Sequence, residues 1–130
     1  MSLGETEWAK NGRYTGLTEL ELTQNGIEQV IGTGKYLVGP GKLIDPARIA
    51  KVFVSPRKRA QMTFELLFKD ANGSLSIDDD KVDVTEEIAE WDYGDYEGLL
   101  TSEIRARRQE RGLDKEISWD IWRDGCEGGE

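Results

Sequence analysis

Lys51-Val52-Phe53-Val54-Ser55-Pro56-Arg57-Lys58-Arg59-Ala60 is the stretch on which the reading of the fold turns. Val52, Phe53 and Val54 make a short apolar, β-branched run, which reads as a strand buried on both faces. Ser55-Pro56 stops that run, and serine as N-cap with proline in the first helical turn is a helix-start signal. Ala60, Thr63, Phe64 and Leu67 continue as one face of an amphipathic helix. A strand, a sharp corner and a helix N-terminus therefore meet at Ser55-Pro56-Arg57. Arg57, Lys58 and Arg59 add positive charge where helix N–H groups already favour an anion, so the corner is a candidate phosphate site. A solvated basic surface would look the same in this segment alone.

Upstream of the corner, Gly4 to Gly16 is polar and glycine-containing, with Trp8 and Tyr14, and reads as a loop. Thr23 is placed to cap a helix whose face carries Ile27, Val30, Ile31, Leu37 and Val38, and Gly39-Pro40-Gly41 ends it. Downstream, Asp70 to Asp80 contains Asn72-Gly73 and a run of aspartates, and reads as a turn and an exposed approach to a strand at Lys81 to Val84. As a calcium loop that segment fails, because its glycine stands fourth and its twelfth residue is Lys81. Leu99 to Arg111 is helical in composition, with Thr101 as a possible cap and Gly112 as its stop. Trp119, Ile121 and Trp122 form an apolar knot before a glycine-rich end. No repeat or low-complexity tract interrupts this order, which predicts an α/β layer fold.

Composition narrows the chemistry. The 130 residues suit one domain, and 17 basic against 26 acidic side chains leave a net charge of −9. Such a surface repels nucleic-acid backbones and anionic membranes, so neither is an expected partner, and an anionic substrate needs cations gathered locally. The lone Cys126 permits no internal disulfide and no Cys-rich zinc site, which fits a reducing, cytoplasmic setting. No apolar run approaches the roughly 18 residues of a membrane span, and Met1 to Lys10 has no signal-peptide core. Histidine is absent, which removes the commonest general base and metal ligand from this chain. No metal and no cofactor is expected.

Two further segments can carry chemistry. In Glu90-Trp91-Asp92-Tyr93-Gly94-Asp95-Tyr96-Glu97-Gly98 acids alternate with aromatics, and a carboxyl walled by rings loses hydration and becomes a proton donor. The plainer reading is a Trp/Tyr core cluster fringed with acids. Gly4-Glu5-Thr6-Glu7-Trp8 and Arg13-Tyr14-Thr15-Gly16 offer backbone amides and a hydroxyl to an oxyanion, or are simply polar loop.

Taken in order, these segments resemble the histidine phosphatase superfamily, the phosphoglycerate mutase-like proteins. The family's Arg-His-Gly-Glu-Thr is matched from Gly4-Glu5-Thr6. Its Ser-Pro-Arg with following alanine and threonine is matched by Ser55-Pro56-Arg57, Ala60 and Thr63. Its acid motif is matched by Glu90, Tyr93-Gly94 and Glu97-Gly98, and its later Gly-Glu by Gly128-Gly129-Glu130. Gly12 to Thr18, Arg111 to Glu116, and the run from Trp119 through Cys126 are most similar to the fungal sedoheptulose-1,7-bisphosphatase branch.

The resemblance implies a partial three-layer α/β/α phosphoglycerate mutase-like fold, lacking its first strand and C-terminal half, with residues 1–130 as a single truncated domain. It implies hydrolysis of a sugar bisphosphate through a phosphohistidine, Arg57 holding the phosphoryl group and Glu90 protonating the leaving oxygen. Thr15, Gly16, Tyr93 and Gly4 would line the pocket for a phosphorylated sugar or phosphate ion. Ser2-Leu3 stands where the family has Arg-His, and Ala9 where asparagine is common. Without histidine the chain as written is expected to be inactive, the alternative being a non-catalytic phosphate-binding or assembly module, or an acidic scaffold with no ligand. Missing strands would leave the Val52 to Val54 strand with bare edges, to be covered by another copy in a homo-oligomer.

Overall fold

Residues 4–130 are described in the computed structural model of this chain, so Ser2-Leu3 lies outside the described residues. In chain order the elements are α1 (Glu7–Asn11), α2 (Gln24–Leu37), β1 (Val52–Val54), α3 (Lys58–Phe68), β2 (Val82–Val84), α4 (Thr101–Glu110) and α5 (Ile121–Asp124). They fall into two compact units: Glu19–Ala89 with the described residues up to Glu7, and Trp8–Thr18 with Glu90–Glu130.

In the first unit, Thr23 caps α2 as its position predicts, its Oγ1 accepting the Gly26 N–H at 3.0 Å. Gly4-Glu5-Thr6 docks on this start: Thr6 bridges Leu22, Thr23 N–H donates to the Glu5 carbonyl at 2.8 Å, and Thr23 Oγ1 donates to Glu5 Oε1 at 2.9 Å. Helices α2 and α3 pack closely because Gly34 is buried without a side chain. A Cβ there would lie 2.7 Å from the Leu67 carbonyl oxygen. Leu22, Val30, Leu67, Phe68 and Ile77 form the core of this unit.

Strand β1 pairs in parallel with β2, Val52 opposite Val82 and Val54 opposite Val84, with α3 in the crossover that a parallel pair needs. Burial of β1 on both faces does not hold. Val54 is buried, but Phe53 is 56% exposed, because α3 covers one face and no described element covers the other. The segment from Asp70 is a turn, as read, closed by a Lys69–Leu75 bridge and by Asp70 Oδ1 accepting the Asn72 and Ser74 N–H groups. It is not wholly an exposed approach, since Ile77 turns into the core.

The helix start at the corner also differs. Ser55 is not the N-cap: α3 begins at Lys58 with Arg57 in the cap position. Ser55 Oγ accepts the Arg57 N–H at 3.4 Å and so shapes the turn, while the Lys58 N–H is satisfied at 2.8 Å by Glu19 Oε2. A distant carboxylate has taken the cap that the local serine was expected to supply.

The second unit is built on Tyr96, Ile104 and Trp119, with Tyr14, Leu99, Ile121 and Cys126 packed around them. Tyr96 and Tyr14 meet Trp119 edge-on at centroid distances of 5.3 and 5.8 Å, a favoured aromatic geometry. Gly4 to Gly16 is not all loop, since α1 forms within it. Thr101 does not cap α4. Leu100 holds the cap position, its N–H donating to Glu103 Oε2 at 2.8 Å, and the Thr101 hydroxyl pairs with Tyr14 OH at 3.2 Å. Nor does Trp122 join the apolar knot: its ring is 83% exposed. Past α4, Arg108 holds Asp114 through two bonds of 2.7 and 2.8 Å and donates to Tyr96 OH at 2.9 Å, which keeps the Asp114 carboxyl below its usual range. Among the described residues no helix is long and apolar enough to cross a membrane.

Candidate functional site

The corner after β1 is an anion-binding arrangement that is already engaged. The Arg57 guanidinium reaches Glu19 Oε1 at 3.2 Å through NH1, and both oxygens of Glu86 at 2.9 and 2.8 Å through NH2. The Glu86 hydrogen bond is the main reason its pKa lies above the ordinary arginine value. Glu19 thus bridges the guanidinium and the first N–H of α3. The expected trio of basic side chains is split. Arg57 faces these carboxylates, whereas Arg59 turns inward and is only 8% exposed. Burying a cation is costly unless it is held, so Arg59 is set apart from the solvated basic surface that this segment also allowed. Gly4 belongs to the same unit and is buried, its missing Cβ position lying 2.8 Å from a Leu22 methyl group.

In the other unit, Glu90 Oε1 accepts the Trp91 N–H at 3.2 Å and the Tyr93 hydroxyl at a long 3.5 Å. The carboxyl is exposed rather than walled by rings, so the expected desolvation is not what surrounds it. Tyr93 is the perturbed group: burial first, then the nearby Glu90 charge, push its hydroxyl up to about 12. Tyr14 stacks obliquely on Tyr93 at 5.1 Å, which fixes that ring.

Thr15 and Gly16 lie in the same unit as Glu90 and Tyr93. Thr15 Oγ1 donates to the Arg13 carbonyl at 3.2 Å. Gly16 N–H meets both oxygens of Glu97 at 2.9 Å, and Thr18 N–H donates to Glu97 Oε1 at 3.0 Å. The amides read as an oxyanion cradle therefore hold an internal carboxylate. A side chain at Gly16 is excluded because its Cβ would fall 2.1 Å from the Trp91 carbonyl oxygen. Gly128-Gly129-Glu130 runs against the Asp92–Asp95 segment, with Glu130 N–H donating to the Asp92 carbonyl at 2.9 Å and Asp95 N–H to that of Glu127 at 2.8 Å.

The six candidates divide between the units: Arg57 and Gly4 in one, Thr15, Gly16, Glu90 and Tyr93 in the other. Glu19 and Glu97 were not singled out as acting residues. Their bonds span 39 and 81 positions, so no local pattern announces them.

The family description "Histidine phosphatase superfamily (branch 1)" matches residues 4–130. Sedoheptulose 1,7-bisphosphatase of Saccharomyces cerevisiae is 47% identical over 127 residues, covering 98% of this chain and 46% of the relative. An acid phosphatase of Mycobacterium tuberculosis is 40% identical over 127 residues, with 98% and 51% covered. Among solved structures, an open reading frame of M. tuberculosis superposes with a TM-score of 0.67 at 36% identity, covering 98% of this chain and 54% of that one. The α-ribazole phosphatase of Shigella flexneri gives 0.69 at 26% identity, with 98% and 55% covered. The chain spans about half the length of the curated relatives it matches.

Proposed function

The chain belongs to the histidine phosphatase superfamily, and from that premise we propose that it carries the phosphate-binding corner and the proton donor of a sugar-bisphosphate phosphatase, similar in substrate class to sedoheptulose 1,7-bisphosphatase. The observation that carries this reading is the carboxylate of Glu19, held jointly by the Arg57 guanidinium and the first N–H of α3. A phosphoryl group asks for the same donors and brings more charge, so it competes with Glu19 for them.

In this reading Glu90 is the general acid. Both of its hydrogen bonds fall on Oε1, which leaves Oε2 open toward a leaving sugar oxygen. Tyr93 donates to Glu90, and Thr15 and Gly16, in the same unit, are the residues that would meet the sugar phosphate beside it. The reaction class implied by the family attacks phosphorus with a histidine, passes the phosphoryl group to that nitrogen, and frees it with water. This chain contains no histidine, which favours a second reading: as written, it binds phosphate without turning it over. The lone cysteine supports a reducing, cytoplasmic setting. Exposed Phe53, Val84 and Ile88 near the two-stranded sheet support self-association.

The test is direct. Phosphate release from sedoheptulose 1,7-bisphosphate should be absent, and amide-resolved NMR with inorganic phosphate should move Lys58 and its neighbours, an effect abolished by Arg57→Ala. Turnover without added histidine-bearing chain overturns the inert reading; failure of phosphate to perturb Lys58 overturns the corner. A stable monomer by light scattering at micromolar concentration overturns self-association.

A further inference from the structure

In this acidic chain, one cavity of the first unit gathers three lysines beside a single acid. The C-terminal ends of α2 and α3, with the segments that follow them, line an open cleft of about 480 Å3. Ile31, Val38 and Leu66 supply an apolar floor, and Lys35, Lys42 and Lys69 stand around it. None of these lysines is ion-paired to a carboxylate among the described residues, which is equally true of Lys10, Lys58 and Lys115; what sets them apart is that all three line one cavity. The one acid at the cavity, Asp70, accepts the Asn72 and Ser74 amides of the adjoining turn through Oδ1, and its charge against three lysines leaves the lining at +2. Lys42 folds back so that its ammonium donates to the Lys35 carbonyl in the last turn of α2.

A cation at a helix C-terminus is favoured by the macrodipole, and that accounts for Lys35 and Lys69 taken singly. It does not account for their convergence, with Lys42, on one cavity with an apolar floor in a chain of net charge −9. Clustered like charges repel unless an anion joins them. The volume lies within the roughly 300–1,000 Å3 of small-molecule sites. Branched aliphatic side chains on the floor suit a flat, largely apolar ring, and flexible ammonium groups suit phosphate oxygens, which they meet as point charges.

We propose that this cavity binds an organic phosphate, a phosphate ester or diphosphate joined to a planar ring, with the ring on the Ile31–Val38–Leu66 floor and the phosphates among Lys35, Lys42 and Lys69. The site is separate from the corner at Arg57. The two lie at opposite ends of the 11-residue α3, about 16 Å apart at 1.5 Å per residue. It does not depend on the phosphatase reading.

The experiment titrates the whole chain with ADP, adenosine and inorganic phosphate as probes, followed by amide-resolved NMR. ADP should shift Lys35, Val38 and Lys69 to Ala71 saturably, more tightly than adenosine or phosphate alone, and more weakly as salt rises. Lys35→Gln combined with Lys69→Gln should weaken ADP binding roughly tenfold or more, and Ala71→Trp, which fills the cavity from an exposed position, should do the same. Both sets of changes are at the surface, and the spectrum itself reports whether the fold is kept. Absence of saturable ADP binding at millimolar concentration overturns the proposal. So does binding by inorganic phosphate as tight as ADP, or a response centred on Arg57 and Lys58.

Discussion

Replacing Glu97 by glutamine should loosen the second unit by about 2 kcal/mol, and the figure follows from its bonds. Glu97 accepts the Gly16 N–H with both oxygens at 2.9 Å and the Thr18 N–H at 3.0 Å, so one carboxylate satisfies two backbone donors. Hydrogen bonds to a charged acceptor contribute roughly 1.5–3 kcal/mol each, toward the lower end when partly exposed. Glutamine keeps one neutral acceptor and turns an NH2 group toward the other amide, leaving donor facing donor. Alanine removes both acceptors and should cost about 3 kcal/mol by the same reasoning. With a urea slope of about 1–3 kcal/mol per molar, the glutamine variant should lose on the order of 1 M in its unfolding midpoint. Limited proteolysis should then cut between Arg13 and Thr18 before any site in the first unit. A midpoint within about 0.2 M of the parent, given that slope, would show that water replaces the carboxylate at no cost. The account of this loop would then be wrong.

Two further outcomes follow from single residues. Ile104→Ala empties a fully buried position beside Tyr96 and Trp119 and should destabilise by about 2–5 kcal/mol, measured by chemical unfolding with tryptophan fluorescence. Tyr93 has its pKa raised from 10.0 to about 12, so the folded state keeps a proton that the unfolded chain gives up first. Its contribution is whole below pH 10 and is lost as pH rises toward 12, and Tyr93→Phe should abolish the late step in tyrosinate absorbance.

What could be read in the sequence was what short-range chemistry fixes. Thr23 caps the helix it precedes, Gly112 follows α4 at a φ of +74°, and the valine runs at Val52–Val54 and Val82–Val84 are both strands. Family membership was legible for a related reason: glycines and charged residues at tight corners cannot be exchanged freely, as Gly16 against the Trp91 carbonyl illustrates.

The tertiary structure alone decided who satisfies whom. Ser55 has good capping chemistry, yet the first N–H of α3 receives Glu19, because a fold hands each free amide to whichever acceptor it brings nearest; at α4 the acceptor that displaces Thr101 is local, Glu103 three residues past Leu100. The same rule placed Arg57 between Glu19 and Glu86 and buried Arg59, two residues along. It also left Phe53 and Trp122 exposed where composition alone would bury them. Composition fixes which groups need partners, but the distance between partners is a property of the folded chain, and here the decisive ones lie 39 and 81 residues apart.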